Sequence, residues 1–148
     1  MHVAKHTDVE VILWKGHCEV HERFSAKDIQ HYREAHPGIV VLAHPECSPE
    51  VVEASDFSGS TSRMIDYVKN SDAPQYLLMT ECSMGDNIAS ENPDKEMLRL
   101  CSIRCPHMNE ITLEDTLASL EQMRYVITVP EDIRKRALRA VERMIEIG

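Results

Sequence analysis

The sequence predicts a three-layer α/β fold, with a short parallel sheet between helices and a helical segment at the C-terminal end. Three observations predict it. Short β-branched runs alternate with helix-like segments, which is the pattern of right-handed βαβ units. The run Gly38–Ala43 (GIVVLA) is apolar throughout, as expected of a strand covered on both faces. The 148 residues, 43% of them hydrophobic, are enough to bury a core.

Strands are predicted from short apolar runs, of which Ser55–Ser58 is at most a short strand. In chain order they are Val9–Trp14, Gly38–Ala43, Ser55–Ser58, Tyr76–Met79, Arg99–Ile103 and Val126–Val129. Cys18, His44 and Cys105 each come soon after such a run. Because ligands bind beyond the carboxyl ends of strands in open α/β sheets, these residues predict a site at that edge.

Helices are predicted from capping residues. Helix starts fall at Ser25, Ser48, Ser60, Thr112 and Pro130. Ser25 has an acid three residues later, which is the spacing of a capping box, and this helix ends before Pro37-Gly38. The segment from Pro130 has apolar residues at helical spacing and predicts a long final helix.

Composition excludes several classes of partner. The net charge of −9 argues against nucleic acid and anionic membranes, because both would repel the chain. No apolar run approaches the roughly 18 residues that span a bilayer, and Met1–Glu10 lacks the apolar region of a signal peptide. We therefore expect a cytoplasmic protein, in which the five cysteines are not a disulfide framework.

The cysteines are candidate metal ligands. Cys18, Cys101 and Cys105 lie in polar loops after strand-like runs, and single cysteines from separate strand ends suit an iron–sulfur cluster in a pocket. The alternative is that Cys18 and Cys105 are small packed side chains without a role. Packing is the preferred interpretation for Cys47 and Cys82, which lie just inside expected helix starts.

Two further groups are candidates for binding or catalysis. His44 and Glu46 follow the strand GIVVLA, and in an extended segment their spacing would place both on one face for acid–base work or iron binding. A solvated histidine and a first-turn glutamate are the alternative. Ser58-Gly59-Ser60-Thr61 opens a helix and offers hydroxyls and free amides to an anion, or simply caps the helix.

The chain resembles quinolinate synthases over nearly its whole length, from about Val9 onward. Four segments carry the resemblance, and they occur in the family's order: GHCEVHERF, VVLAHPECSPEVVEASDFSGSTSRMIDYV, MTECSMGDNIASENPDKEM and CPHMNEITLEDTLASL. The resemblance implies a transferase that condenses iminoaspartate with dihydroxyacetone phosphate to quinolinate, the precursor of NAD. It also implies a [4Fe–4S] cluster whose open iron acts as a Lewis acid.

The resemblance assigns metal ligands by motif. Cys18 and Cys105 match two of the three cysteines that hold the family's cluster, and the third is expected from an N-terminal portion absent here. Cys101 departs from the family pattern and is a possible substitute ligand. Cys105 is preferred because the Pro-x-Met that follows it matches the family motif better.

The resemblance also assigns substrate contacts. His44 and Glu46 match the family's substrate-binding and acid–base pair. Ser60 and Thr61 match its anion-binding hydroxyls, and His21 lines the same pocket.

The resemblance implies that this chain is the C-terminal half of the enzyme. Residues 1–21 would end a preceding domain, 22–105 would form an α/β domain, and 106–148 would pack on the absent N-terminal portion. Such a half-enzyme should expose apolar surface. It would need the N-terminal half, and L-aspartate oxidase as a source of iminoaspartate.

Two rival functions remain open from the residues. The chain could be a metal-binding module for zinc or an iron–sulfur cluster without catalysis, using Cys101, His17, His21 and His107. It could instead be a metal-free interaction or sugar-phosphate-binding domain that uses the helix start at Ser58–Thr61.

Overall fold

A computed structural model describes Ala4 and residues 7–147 of the chain. It divides into two compact units, Met1–Pro106 and His107–Gly148. The first unit contains a parallel sheet with helices, which confirms the predicted α/β class, and the second contains two helices. None of the helices in the described part of the chain has the length and apolar character to cross a membrane.

The first unit is built from four parallel strands and four helices in alternation. Its elements are α1 (Ala26–Ala35), β1 (Val40–Ala43), α2 (Pro49–Ala54), β2 (Phe57–Ser58), α3 (Thr61–Lys69), β3 (Gln75–Met79), α4 (Cys82–Glu91) and β4 (Glu96–Arg99). The strand order is β2-β1-β3-β4. Val40 pairs with Tyr76 and Ala43 with Met79, so β1 and β3 end at the same level.

The core lies on both faces of this sheet, because alternate strand residues point to opposite sides. On one face Val41, Leu77 and Met79 pack with apolar side chains from the segment before β1 and from α2. On the other face Leu42 and Leu78 pack with side chains of α3 and α4. Continuous apolar strands are therefore required, as GIVVLA and YLLM predict.

The capping box predicted at Ser25 is confirmed, and the helix start predicted at Thr112 has a second one. Asp28 N–H donates to Ser25 Oγ at 3.3 Å, and Ser25 N–H donates to Asp28 Oδ2 at 2.9 Å. Thr112 and Asp115 make the same reciprocal pair, at 3.1 and 3.2 Å. These bonds satisfy amide groups that have no partner inside the helix.

Two predicted strands are wrong. Val9–Trp14 and Val126–Val129 have no strand conformation, and their apolar side chains are exposed: Trp14 by 91% and Ile127 by 87%. Neither run has a neighbouring strand among the described residues. Apolar, β-branched character indicates a segment that gains from burial, whereas a strand also needs a hydrogen-bonding neighbour.

The last strand of the sheet is displaced from its predicted place. β4 covers Glu96–Arg99 rather than Arg99–Ile103, because it follows the register of β3, with Gln75 opposite Glu96 and Leu78 opposite Arg99. Beyond it the chain turns, and Ile103 N–H donates to Leu100 O at 2.9 Å.

One disulfide joins Cys82, at the start of α4, to Cys101 in the turn after β4. This pairing was not predicted, because we expected cysteines without a disulfide framework, a packed Cys82 and a loop thiol at Cys101. Cys82 is indeed buried, as is Cys47. Burial raises the pKa of the Cys47 thiol to about 12, so this side chain is protonated at neutral pH.

The second unit consists of α5 (Leu113–Gln122) and α6 (Glu131–Ile147). Both helices are amphipathic, and their large apolar side chains are exposed within this chain: Leu113, Leu117, Leu120, Ile133, Leu138, Val141, Met144, Ile145 and Ile147. Such a surface is typical of a segment that packs against another polypeptide.

Candidate active site at the carboxyl edge of the sheet

The candidate site lies where β1 and β3 end. The strand order is β2-β1-β3-β4, so the chain adds β2 on one side of β1 and then β3 and β4 on the other side. The topological switch point, where the direction of strand addition reverses, therefore lies between β1 and β3. Crevices at such points bind ligands. His44 N–H donates to Met79 O at 3.3 Å, so the residues that leave the two strands are held side by side.

His21 is the centre of the site. It begins a 3-10 turn, His21–Arg23, and it is only 7% exposed. Its Nδ1 lies 2.9 Å from Glu46 Oε2 and its Nε2 lies 3.1 Å from Thr80 Oγ. The ring also stacks on His44 with 4.3 Å between centroids. Side chains far apart in the sequence therefore meet on this imidazole.

The contacts of His21 favour one tautomer. A carboxylate only accepts hydrogen bonds, so Nδ1 of His21 must carry the proton that points to Glu46. In the neutral ring Nε2 is then an acceptor, and the Thr80 hydroxyl is the donor that faces it. Thr80 thereby fixes the tautomer and orientation of the His21 ring, and the ring in turn fixes the orientation of the Glu46 carboxylate.

His44 and Glu46 meet as their spacing predicts, but in a turn rather than in an extended segment. Cys47 N–H donates to His44 O at 3.0 Å and closes the turn. Glu46 N–H donates to His44 Nδ1 at 3.3 Å, and Glu46 Oε2 lies 3.5 Å from the same nitrogen.

The pKa of His44 lies below its ordinary value. Partial burial is the main cause, because it disfavours the charged ring, and the neighbouring His21 acts in the same direction. The Glu46 carboxylate opposes these effects but is the smallest of them. His44 is therefore neutral at pH 7, and with Nδ1 accepting the backbone N–H, its Nε2 carries the proton.

Cys18 adds a sulfur to this group. One ligand atom from each of Cys18, His21 and Glu46 lies within 4.8 Å of the other two. Cys18 and Cys105 both pack, half-buried, against the core cluster on the His21 side of the sheet. Cys101 is in the disulfide with Cys82, so it would have to be reduced before it could act as a ligand.

The predicted anion-binding hydroxyls lie at the start of α3. Ser60 Oγ accepts Arg63 N–H at 3.5 Å and so caps the helix, while Thr61 is exposed. Gly59 N–H donates to Ala43 O at 3.3 Å, which ties this turn to the end of β1, next to His44. Ser58 Oγ is buried and has no hydrogen-bond partner among the described residues.

Sequence reasoning gave Thr80 no role, although it is the first polar residue after the apolar run of β3. Its contact with His21 joins residues 59 positions apart, which no local pattern encodes. The position of a small hydroxyl residue at a strand end was the only available signal.

Comparison with known proteins gives a consistent result. The model of the family described as "Quinolinate synthetase A protein" matches residues 1–146. The chain is 54% identical to Quinolinate synthase 2 of Mesorhizobium japonicum over 145 residues, which is 98% of this chain and 44% of that protein. It is 56% identical to the quinolinate synthase of Agrobacterium fabrum and 54% identical to that of Xylella fastidiosa, in each case over 98% of this chain and 42% of the relative. The chain thus spans less than half the length of these relatives.

Proposed function

The chain belongs to the quinolinate synthetase A family, and on that premise we propose that it supplies the C-terminal part of a quinolinate synthase. The reaction is the condensation of iminoaspartate with dihydroxyacetone phosphate to quinolinate, in the biosynthesis of NAD. The observation that carries the proposal is the group of His21, His44, Glu46 and Thr80 at the switch point of the sheet. It combines a proton acceptor, a neutral imidazole and the bonds that orient them.

Cys18 and Cys105 are the proposed ligands of a [4Fe–4S] cluster, with a third cysteine from outside this chain. The donors fit, because both are half-buried thiols that pack on the same side of the sheet. When bound, the cluster would supply a Lewis acid that polarises a substrate carbon–oxygen bond. The Cys47 thiol is not proposed as a ligand, because it is buried and its Sγ donates to Met79 O at 3.3 Å.

Glu46 and His44 are the proposed catalytic residues. The condensation requires proton removal from substrate atoms and loss of water, so it needs a base and an acid at one edge of the substrate. The Glu46 carboxylate is exposed and can accept a proton from a substrate held over β1. The neutral His44 can donate a hydrogen bond from Nε2 to a substrate oxygen, because its Nδ1 is occupied by the backbone.

His21 and Thr80 are proposed as positioning residues for this pair. The bond from His21 Nδ1–H to Glu46 holds the carboxylate beside His44. Thr80 keeps His21 in the tautomer that can make that bond. A base held in one orientation loses less freedom when the reaction begins.

Ser60 and Thr61 are the proposed binding residues for a phosphate or carboxylate group of the substrates. α3 is nine residues long, and its first amides point toward the turn that carries these hydroxyls. The buried Ser58 Oγ, which has no partner in the described part of the chain, is a further donor at this turn.

The remaining parts of the chain complete the proposal. Residues 1–21 would end a preceding domain, and 106–148 would cover apolar surface of the N-terminal portion; the exposed side chains of α5 and α6 support this arrangement. The enzyme would act in the cytoplasm, with L-aspartate oxidase as the source of iminoaspartate.

Complementation tests the proposal. This chain would be combined anaerobically with the N-terminal portion of the Agrobacterium fabrum relative, and quinolinate formation would be measured after iron–sulfur reconstitution. Cys105→Ala and Glu46→Gln should each reduce the rate at least a hundredfold. Cys47→Ala, which removes a buried thiol outside the site, is the control. Unchanged activity in Cys105→Ala would refute the ligand assignment.

A further inference from the structure

Cys18, His21 and Glu46 bring three different donors to one point. A thiol sulfur, an imidazole nitrogen and a carboxylate oxygen lie within 4.8 Å of one another. Sulfur, nitrogen and oxygen donors from Cys, His and Asp or Glu are the ligands of zinc, and sites with three protein ligands leave a fourth position open.

The surroundings of His21 favour metal binding at Nδ1. This nitrogen faces the carboxylate, while Nε2 faces the Thr80 hydroxyl at 3.1 Å. With a metal on Nδ1 the ring proton would move to Nε2 and donate to Thr80 Oγ. Histidine ligands of metals commonly have such a partner on the second nitrogen, and it fixes both tautomer and ring orientation.

Neighbouring groups add no competing donor. Cys47 is buried, and its Sγ donates to Met79 O at 3.3 Å. Nδ1 of His44 accepts the Glu46 N–H at 3.3 Å, so this nitrogen is already engaged by the backbone. Three of the donors at this edge can therefore converge on one ion.

We propose that Cys18, His21 and Glu46 bind one divalent cation of the zinc class in the absence of the iron–sulfur cluster. The inference goes beyond the proposed function, because it uses His21 and Glu46 and does not require Cys105. Since Cys18 is common to both sites, zinc and the cluster exclude each other. Bound zinc would also occupy the base Glu46, so zinc-loaded chain would be inactive.

This donor set differs from the one that the sequence suggests for a zinc module. Cys101 is in a disulfide, and His17 is exposed beside Glu22 at 3.3 Å. His107 belongs to the second unit. Of the four residues, His21 is the one that belongs to the group whose donors lie within 4.8 Å of one another, together with Cys18 and Glu46.

Zinc titration of the metal-free 148-residue chain tests the inference. With a chromophoric chelator as competitor, we expect one equivalent of Zn²⁺ to bind. Cys18→Ser and Glu46→Gln should each weaken binding at least tenfold, since each removes a ligand. Glu46 is exposed, so its variant should fold normally, and circular dichroism would verify this. The matched controls are Cys105→Ala and Cys47→Ala, which should bind as the unaltered chain does.

Co²⁺ in place of Zn²⁺ gives an independent readout. A thiolate-to-cobalt charge-transfer band should appear in the unaltered chain and in Cys105→Ala, and should be absent in Cys18→Ser. The inference is overturned if Glu46→Gln binds zinc with unchanged affinity, or if Cys105→Ala loses the band.

These results separate the inference from the proposed function. Cys105→Ala should lose the cluster and quinolinate formation in the complemented enzyme while keeping zinc affinity in the chain alone. Failure of Zn²⁺ to bind would refute the zinc site and leave the cluster assignment unaffected. Retention of activity in Cys105→Ala would refute the cluster assignment and leave the zinc site unaffected.

Discussion

The sheet of the first unit and the helices of the second have similar apolar patterns but opposite burial. Leu77 in β3 is completely buried, whereas Leu120 in α5 is 73% exposed. In the first unit β1 and β3 pair with each other and have helices packed on both faces. The second unit has two amphipathic helices whose large apolar side chains remain exposed. An apolar pattern therefore identifies a surface that needs a partner, and the partner can lie outside the chain.

The largest effect should come from paired leucine truncations in the two units. Leu77→Ala should lower the free energy of unfolding by about 3 kcal/mol, because it leaves a cavity in the sheet. Leu120→Ala should change it by less than about 0.5 kcal/mol, since the side chain is already in water. Urea unfolding of the isolated chain measures both. Equal losses would show that the second unit has a buried core of its own.

Reduction of the Cys82–Cys101 disulfide should lower the free energy of unfolding of the first unit by at most a similar amount. The two cysteines are 19 residues apart, and a disulfide that closes a loop of that length adds about 3 kcal/mol to the free energy of unfolding. The gain is smaller where the unfolded chain retains structure. Urea unfolding with and without reductant measures it. Cys101→Ser without reductant should match the reduced chain, and Leu120→Ala should respond to reductant as the unaltered chain does. No response to reductant would contradict the assigned bond.

Thr80→Val should disturb the site more than the fold. Removal of the hydroxyl leaves the buried Nε2 of His21 without its donor, which costs about 1 to 3 kcal/mol. Nitrogen-15 NMR should show a mixture of His21 tautomers in place of one. In the complemented enzyme kcat should fall with little change in KM, and Thr80→Ser should restore both. An unchanged tautomer in Thr80→Val would refute the positioning role.

The smallest effect should be the pH dependence that His44 contributes. Its pKa is lowered in the fold, mainly by burial, so the unfolded chain takes up a proton first as pH falls. The contribution of His44 to the free energy of unfolding is therefore complete above the unfolded-state pKa of about 6.5. It is lost as the pH falls through the lowered pKa of the folded state. Proton NMR of the metal-free chain should show His44 titrating below 6.5, the ordinary value for a histidine. A pKa of His44 at or above that ordinary value would contradict the burial argument.

The sheet could be predicted where the sequence alone decides burial and capping. GIVVLA and YLLM became β1 and β3, and the capping box at Ser25 and the helix start at Thr112 formed as predicted. Val9–Trp14 failed because β-branched residues indicate a need for burial and cannot identify a neighbouring strand. The position of β4 failed because its register is set by β3.

The contacts of the site could be predicted only where they join residues close together in the sequence. His44 and Glu46 are two residues apart, so their proximity is local and readable. The contacts of His21 with Glu46 and Thr80 cross 25 and 59 residues. They exist only because the carboxyl ends of β1 and β3 lie side by side. The Cys82–Cys101 disulfide is of the same kind, since it depends on where α4 begins relative to β4.

The most direct test of the account is the iron and acid-labile sulfide content after anaerobic reconstitution, for this chain alone and for its complex with the N-terminal portion of a relative. Two candidate ligand residues, Cys18 and Cys105, lie on one side of the sheet, and the third ligand is proposed to come from another part of the enzyme. We expect a full [4Fe–4S] complement in the complex and little or none in the isolated chain. A full and stable cluster in the isolated chain would contradict it.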